Sequence, residues 1–139
     1  MTVMTDKSLL IRNALRTPDG TILQSRHRHD YVTHTDKNGK EYMLDGGLDY
    51  VRCSANGDEE HLVVTLEDTH EVIREACDWG TYGINGDQPL AYITLCDMTT
   101  DHIEAVLKNV PSMNSAIKIA MKNELLYREK HDKNLSDRQ

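Results

Sequence analysis

The densest run of side chains able to do chemistry is Arg26-His27-Arg28-His29-Asp30, with His34 shortly beyond it. On an extended strand Arg26, Arg28 and Asp30 would project to one side and His27 and His29 to the other. Two imidazoles on one face beside a carboxylate can begin a transition-metal site. Together with Asp30 and His34 they could also serve as the metal or general acid–base site of a nuclease or phosphodiesterase. An alternative use of the same segment is an anion site at Arg26, His27, Arg28 and His29, because arginine offers phosphate a fork of donors and histidine adds another. A third reading is a solvated edge-strand charge run paired with the chain's many carboxylates. No third metal ligand stands at a diagnostic spacing, so no metal is assigned.

Two further stretches stand out. In Asp45-Gly46-Gly47-Leu48-Asp49-Tyr50-Val51-Arg52 the paired glycines allow either a tight turn or a close backbone approach to a ligand. Arg52 is then a phosphate or base contact, or the ion-pair partner of Asp49. In Asp78-Trp79-Gly80-Thr81-Tyr82-Gly83-Ile84-Asn85 the single Trp lies near a Tyr in a glycine-rich loop. Trp79 and Tyr82 suit stacking on a nucleobase, and Trp79 suits a core anchor equally well. Walker A, GxGxxG, GxSxG, HExxH and paired His-x-Thr/Ser motifs are all missing from the sequence. The reading is therefore a binding protein rather than an enzyme, with no cofactor.

The elements that must position these residues read as one α+β domain over 1–139, with flexible ends at 1–8 and 132–139. In the N-terminal half, short β-prone runs alternate with turn chemistry: Leu9 to Leu15, Thr21 to Gln24, Tyr31 to Thr35, Lys40 to Leu44, Leu48 to Cys53 and His61 to Leu66. Thr17-Pro18-Asp19-Gly20 and Asp36-Lys37-Asn38-Gly39 are the clearest turns, and the second predicts a hairpin. An antiparallel β-meander results.

The apolar period then lengthens to that of a helix. Asp68 with Glu71 fits a capping box for a short helix whose face is Val72, Ile73, Ala76 and Cys77, stopped at Gly80 or Gly83. After the turn Asn85 to Pro89, Leu90 to Leu95 reads as a strand. Thr99 or Thr100 caps a helix to about Asn109, and Pro111 opens another. From Ser112 to about His131 neither Gly nor Pro occurs, which predicts a helix about 30 Å long. Its stripe is Met113, Ile117, Ala120, Met121, Leu125 and Leu126. So long a helix on so small a core predicts a homo-oligomer in which the stripe also packs on a partner chain.

Composition narrows the partners. The net charge of −7 disfavours the broad cationic surface that duplex nucleic acid needs. A compact anion remains compatible, because a local Arg/His cluster outweighs distant charges at cellular salt. Cys53, Cys77 and Cys96 are odd in number and lack CxxC spacing, no apolar run approaches a membrane span, and Met1 to Lys7 lacks signal-peptide character. The expectation is a cytoplasmic protein with three free thiols and no membrane partner.

The combination of Arg26 to Tyr31, Asp45 to Arg52, Trp79-Gly80 and Asp97-Met98 followed by His102 resembles a family of small bacteriophage proteins. These are the first Thoeris anti-defence sponges, which sequester cyclic ADP-ribose isomers made by bacterial TIR immune enzymes. The resemblance spans about Leu10 to Leu107. It implies a hexamer built from dimers in the host cytoplasm, ligand pockets shared between protomers, and a separate cyclic-oligonucleotide site in some members. Arg52 then matches the family's ligand-binding Arg, Asn85 a polar contact, and Asp97-Met98 the pocket lining. Cys77 falls where the family has an aromatic, so stacking there would pass to Trp79 or Tyr82, and the family's second Arg has no clear counterpart. On this reading Arg52, the Trp79 to Asn85 loop and Asp97-Met98 meet at one end of a single sheet.

Overall fold

The computed structural model describes residues 2–4, 9–27, 29–83 and 85–136. The chain is α+β, with antiparallel strands first and helices after them, and it divides into two compact units at Asp68/Thr69.

Unit one holds strands β1 (Thr2–Met4), β2 (Leu10–Arg12), β3 (Ala14–Arg16), β4 (Ile22–Gln24), β5 (Val32–Thr35), β6 (Glu41–Asp45), β7 (Val51–Cys53), β8 (Glu60–His61) and β9 (Val64–Thr65). A four-stranded sheet runs in the order β1-β7-β6-β5, a three-stranded one in the order β4-β3-β8, and β2 pairs with β9. The Asp36 to Gly39 turn joins β5 to β6 with Val32 opposite Leu44 and Thr35 opposite Glu41. Gly39 adopts φ 83° there, as such a hairpin turn requires. Leu10, Leu15, Leu23, Tyr42, Leu44, Val51 and Cys53 form the core, with Val32, Leu48 and Val63 against it.

The sequence reading of Leu9 to Leu15 as one run is corrected, because the run breaks at Asn13 into β2 and β3. Asn13 is wholly buried and its side chain is spent on another loop. Residues 2–4, expected to be loose, form β1 against β7.

Unit two holds α1 (His70–Ala76), β10 (Asp78–Thr81), β11 (Ala91–Thr94), a 3-10 turn (Leu95–Asp97), α2 (Thr100–Asn109) and α3 (Ser115–Ser136). The α1 start departs from the expected capping box. Asp68 Oδ2 instead accepts from Thr65 N at 2.9 Å and closes the preceding turn, and Thr69 takes the cap position without a side-chain bond. The helix ends at Ala76, before either glycine, because Asp78 to Thr81 pairs with Thr94 to Ala91. Thr99 caps α2 by accepting from His102 N at 3.1 Å. Pro111 stays in a turn, and α3 starts after Asn114, whose Oδ1 accepts from Ala116 N and Ile117 N. The buried face of α3 is Ala116, Ala120, Met121 and Glu124, whereas Leu126 of the expected stripe is 63% exposed. No helix among the described residues is long and apolar enough to cross a membrane.

Candidate functional site

In unit one, two segments that are far apart in sequence are tied together by two buried side chains. Asn13 and Ser25 face each other just beyond the β3–β4 pairing, where Ser25 N donates to Asn13 O at 2.9 Å. From there Asn13 Nδ2 reaches three carbonyls of one loop: Gly47 O at 2.9 Å, and Asp45 O and Tyr50 O at 3.1 Å each. The Ser25 hydroxyl accepts from Gly47 N at 2.8 Å and donates to Asp30 O at 2.7 Å. Asp30 Oδ2 in turn accepts from Arg26 N at 2.9 Å. The histidine-bearing turn and the Gly46-Gly47 loop are therefore neighbours, with every one of these polar links internal to the unit.

This cluster carries the cationic candidates. His27 and His29 are exposed, and Arg28 lies outside the described residues. Arg52 sits opposite Asp45 across β6 and β7, its side chain 42% exposed and its Nε 3.8 Å from Asp45 Oδ2. That Nε has no hydrogen-bond partner among the described residues. That Nε is buried and closed to a ligand, so only the exposed part of the Arg52 side chain can meet a phosphate. His34 is used differently: its Nε2 lies 2.8 Å from Asp19 Oδ2, and hydrogen bonds from Thr17 and His34 hold the Asp19 carboxyl well below the usual range. Among the described residues no group of three or more His, Cys, Asp or Glu stands ready for a metal ion.

The other candidates lie in unit two. Trp79 belongs to β10 opposite Ile93, in a strand and not in the expected mobile loop. Gly80 lies opposite Tyr92, and a Cβ added at Gly80 would sit 3.3 Å from the Tyr92 ring, so that ring covers the glycine. Tyr82 and Tyr92 remain 56% and 38% exposed, and an exposed aromatic face suits a planar ligand. Asn85 and Asp97 are exposed. Cys77 and Met98 are core residues at 1% and 2% exposure. Burial pushes the Cys77 thiol up to about 12, so it is a packed apolar group and not a nucleophile. All three cysteines are free thiols. The expected single sheet end is corrected: Arg52 lies in the four-stranded sheet of unit one, and Trp79 in the β10–β11 pair of unit two.

Sequence reasoning missed the most polar feature of unit two. Glu124 is wholly buried on α3 and accepts from Arg74 Nε and Nη2 at 2.8 Å each, from Arg128 Nε at 2.7 Å, and lies 2.8 Å from His70 Nε2. Arg128 continues to Met98 O at 2.6 Å, Leu95 O at 3.2 Å and Thr100 Oγ1 at 3.0 Å, while Arg74 lies over the Tyr127 ring at 4.5 Å. One carboxylate thus joins α1, the 3-10 turn, α2 and α3. The usable signal was the Glu124/Arg128 spacing of four, with Glu124 on the Ala120/Met121 line.

Burial alone would raise the Glu124 carboxyl, but hydrogen bonds from Arg74, Arg128 and His70 pull it down to about 2. A lowered carboxylate pKa contributes stability above the unfolded value, here 4.5, and that contribution is lost as pH falls toward 2. Acid titration followed by circular dichroism is expected to lose helical signal between about pH 4.5 and 2. Helix signal unchanged at pH 2 would contradict the role assigned to this cluster.

No protein-family model matches the chain, and neither a curated protein nor a solved structure matches it.

Proposed function

We propose that the chain is a non-catalytic sponge that binds a small anionic cyclic nucleotide and so removes an immune signal from circulation. The ligand class is the cyclic ADP-ribose isomers, with cyclic oligonucleotides as a second class, and the setting is a bacteriophage protein acting in the host cytoplasm against anti-phage defence. The observation that carries the reading is the joining of the Arg26–Asp30 and Asp45–Arg52 segments through Ser25, the second segment ending on an Arg52 side chain that is 42% exposed. The exposed Tyr82 and Tyr92 of unit two support an affinity for planar bases. The resemblance adds a homo-oligomer of dimers within a hexamer as the assembled form.

The test incubates the protein with cyclic ADP-ribose isomers, removes free ligand, heat-denatures the complex and identifies what is released by mass spectrometry. Intact nucleotide is the expected product. Release of a hydrolysed product would instead support a phosphodiesterase, and absence of any capture would reject the reading. Arg52→Ala is expected to weaken capture by about 1.5–3 kcal/mol, the scale of a charged hydrogen bond, with melting temperature little changed. A large fall in melting temperature with capture intact would make Arg52 a structural partner of Asp45.

A further inference from the structure

The polar chain through Ser25 has a property that the fold alone does not need. A buried serine that merely satisfied its own turn would bond within one segment. Ser25 Oγ donates to the Asp30 and His27 carbonyls of its own turn and also accepts from the Gly47 amide, so one hydroxyl bridges two loops that share no backbone hydrogen bond among those described. On the other side Asn13 Nδ2 gathers the carbonyls of Asp45, Gly47 and Tyr50, which fixes the curl of that loop from inside. Both side chains are wholly buried, so water cannot replace these links when a loop shifts. Chained hydrogen bonds of this kind polarise one another, and a change at one end alters the strength at the other.

We propose that Asn13 and Ser25 are positioning residues that make the His27–Asp30 turn and the Asp45–Arg52 loop one energetically coupled anion-binding surface. The proposal rests on the anion-binding reading above and adds to it that the two loops do not act independently. An anion held by Arg52 on one loop is sensed at His29 on the other through the Gly47–Ser25–Asp30 relay.

The test uses inorganic pyrophosphate, which presents linked phosphates without a base, and reads its affinity by calorimetry. In the wild-type background His29→Ala and Arg52→Ala are expected to be non-additive, their combined loss differing by about threefold or more from the product of the single losses. In a Ser25→Ala background the same pair is expected to become additive. Amide exchange without ligand supplies a second readout. Ser25→Ala should speed exchange at the Gly47 amide by about tenfold, the loss of one hydrogen bond, and leave the Gly39 amide of the β5–β6 turn unchanged. Should Ser25→Ala fail to fold, Ser25→Cys keeps a group of similar shape with only weak hydrogen bonding. Additivity in both backgrounds, or equal non-additivity in both, overturns the proposal while leaving anion binding intact. Absence of pyrophosphate binding to the wild type overturns the anion reading and this coupling together.

Discussion

Replacing Glu124 with alanine is expected to destabilise the helical unit by about 3–5 kcal/mol, the cost of stripping one partner from a buried charge cluster. Among the described residues the carboxylate accepts from Arg74 Nε and Nη2 and from Arg128 Nε, and it meets His70 as well. Its removal leaves two partly buried guanidiniums without the carboxylate they share. The damage extends along Arg128 to the carbonyls of Leu95 and Met98 and the hydroxyl of Thr100, so the 3-10 turn and the start of α2 loosen together with α1. Leu126→Ala on the same helix provides the control. Leu126 is mostly exposed, and its loss is expected to cost no more than about 0.5 kcal/mol. Thermal denaturation of the two variants decides the matter: equal melting temperatures would mean that the apolar residues Ile73, Met121 and Ile103 hold the unit and the cluster contributes nothing net. Replacing Glu124, Arg74 and Arg128 together by apolar residues is a different experiment, since whole buried ion clusters are often exchanged without loss.

This cluster marks the boundary of what the sequence discloses. The β5–β6 hairpin was legible because Asn38-Gly39 between alternating residues has almost no other use. The cap of α2 was legible as Thr99 or Thr100, because a threonine before a helical period has one obvious role, and it is the Thr99 oxygen that accepts from His102 N. Glu124 was not, because a glutamate in a long polar helix ordinarily faces water. Its partners Arg74 and His70 lie some fifty residues earlier, where no helical spacing connects them to it.

The strand β10 failed for a related reason. Trp79-Gly80-Thr81 has the composition of a loop, and what makes it a strand is its partner Ala91–Thr94 and the Tyr92 ring laid over Gly80. In the candidate site, the cationic and glycine-bearing segments were visible by residue type. Their adjacency was not, since it depends on Asn13 and Ser25, two small polar residues inside apolar runs with no motif of their own. Cys77, placed on the apolar side of the first helix by its spacing, is indeed spent on the core, whereas nothing about Met98 as a pocket-lining candidate showed that it would be too.

Gly46→Ala is expected to be the most damaging single change in the β unit, at about 3 kcal/mol or more. Gly46 adopts φ 107°, a conformation that L side chains rarely enter, and a Cβ placed there would lie 2.0 Å from Tyr50 O and 2.8 Å from the Tyr50 ring. Tyr50 O is held by Asn13 Nδ2 at 3.1 Å, and Asp49 N donates to Gly46 O at 3.0 Å, so the obstructing carbonyl cannot step aside without breaking the loop. Backbone strain and steric conflict therefore add. Gly20 separates the two effects, because its φ is 91° but nothing lies within 4 Å of an added Cβ. Gly20→Ala should cost about 1–2 kcal/mol from the left-handed backbone alone. If Gly46→Ala melts within a degree or two of Gly20→Ala, the loop yields to a methyl group and is not the rigid cradle described. If it melts far below Gly20→Ala, which loses only the cost of its backbone conformation, the Asp45–Tyr50 loop has one permitted shape, set from within by Asn13.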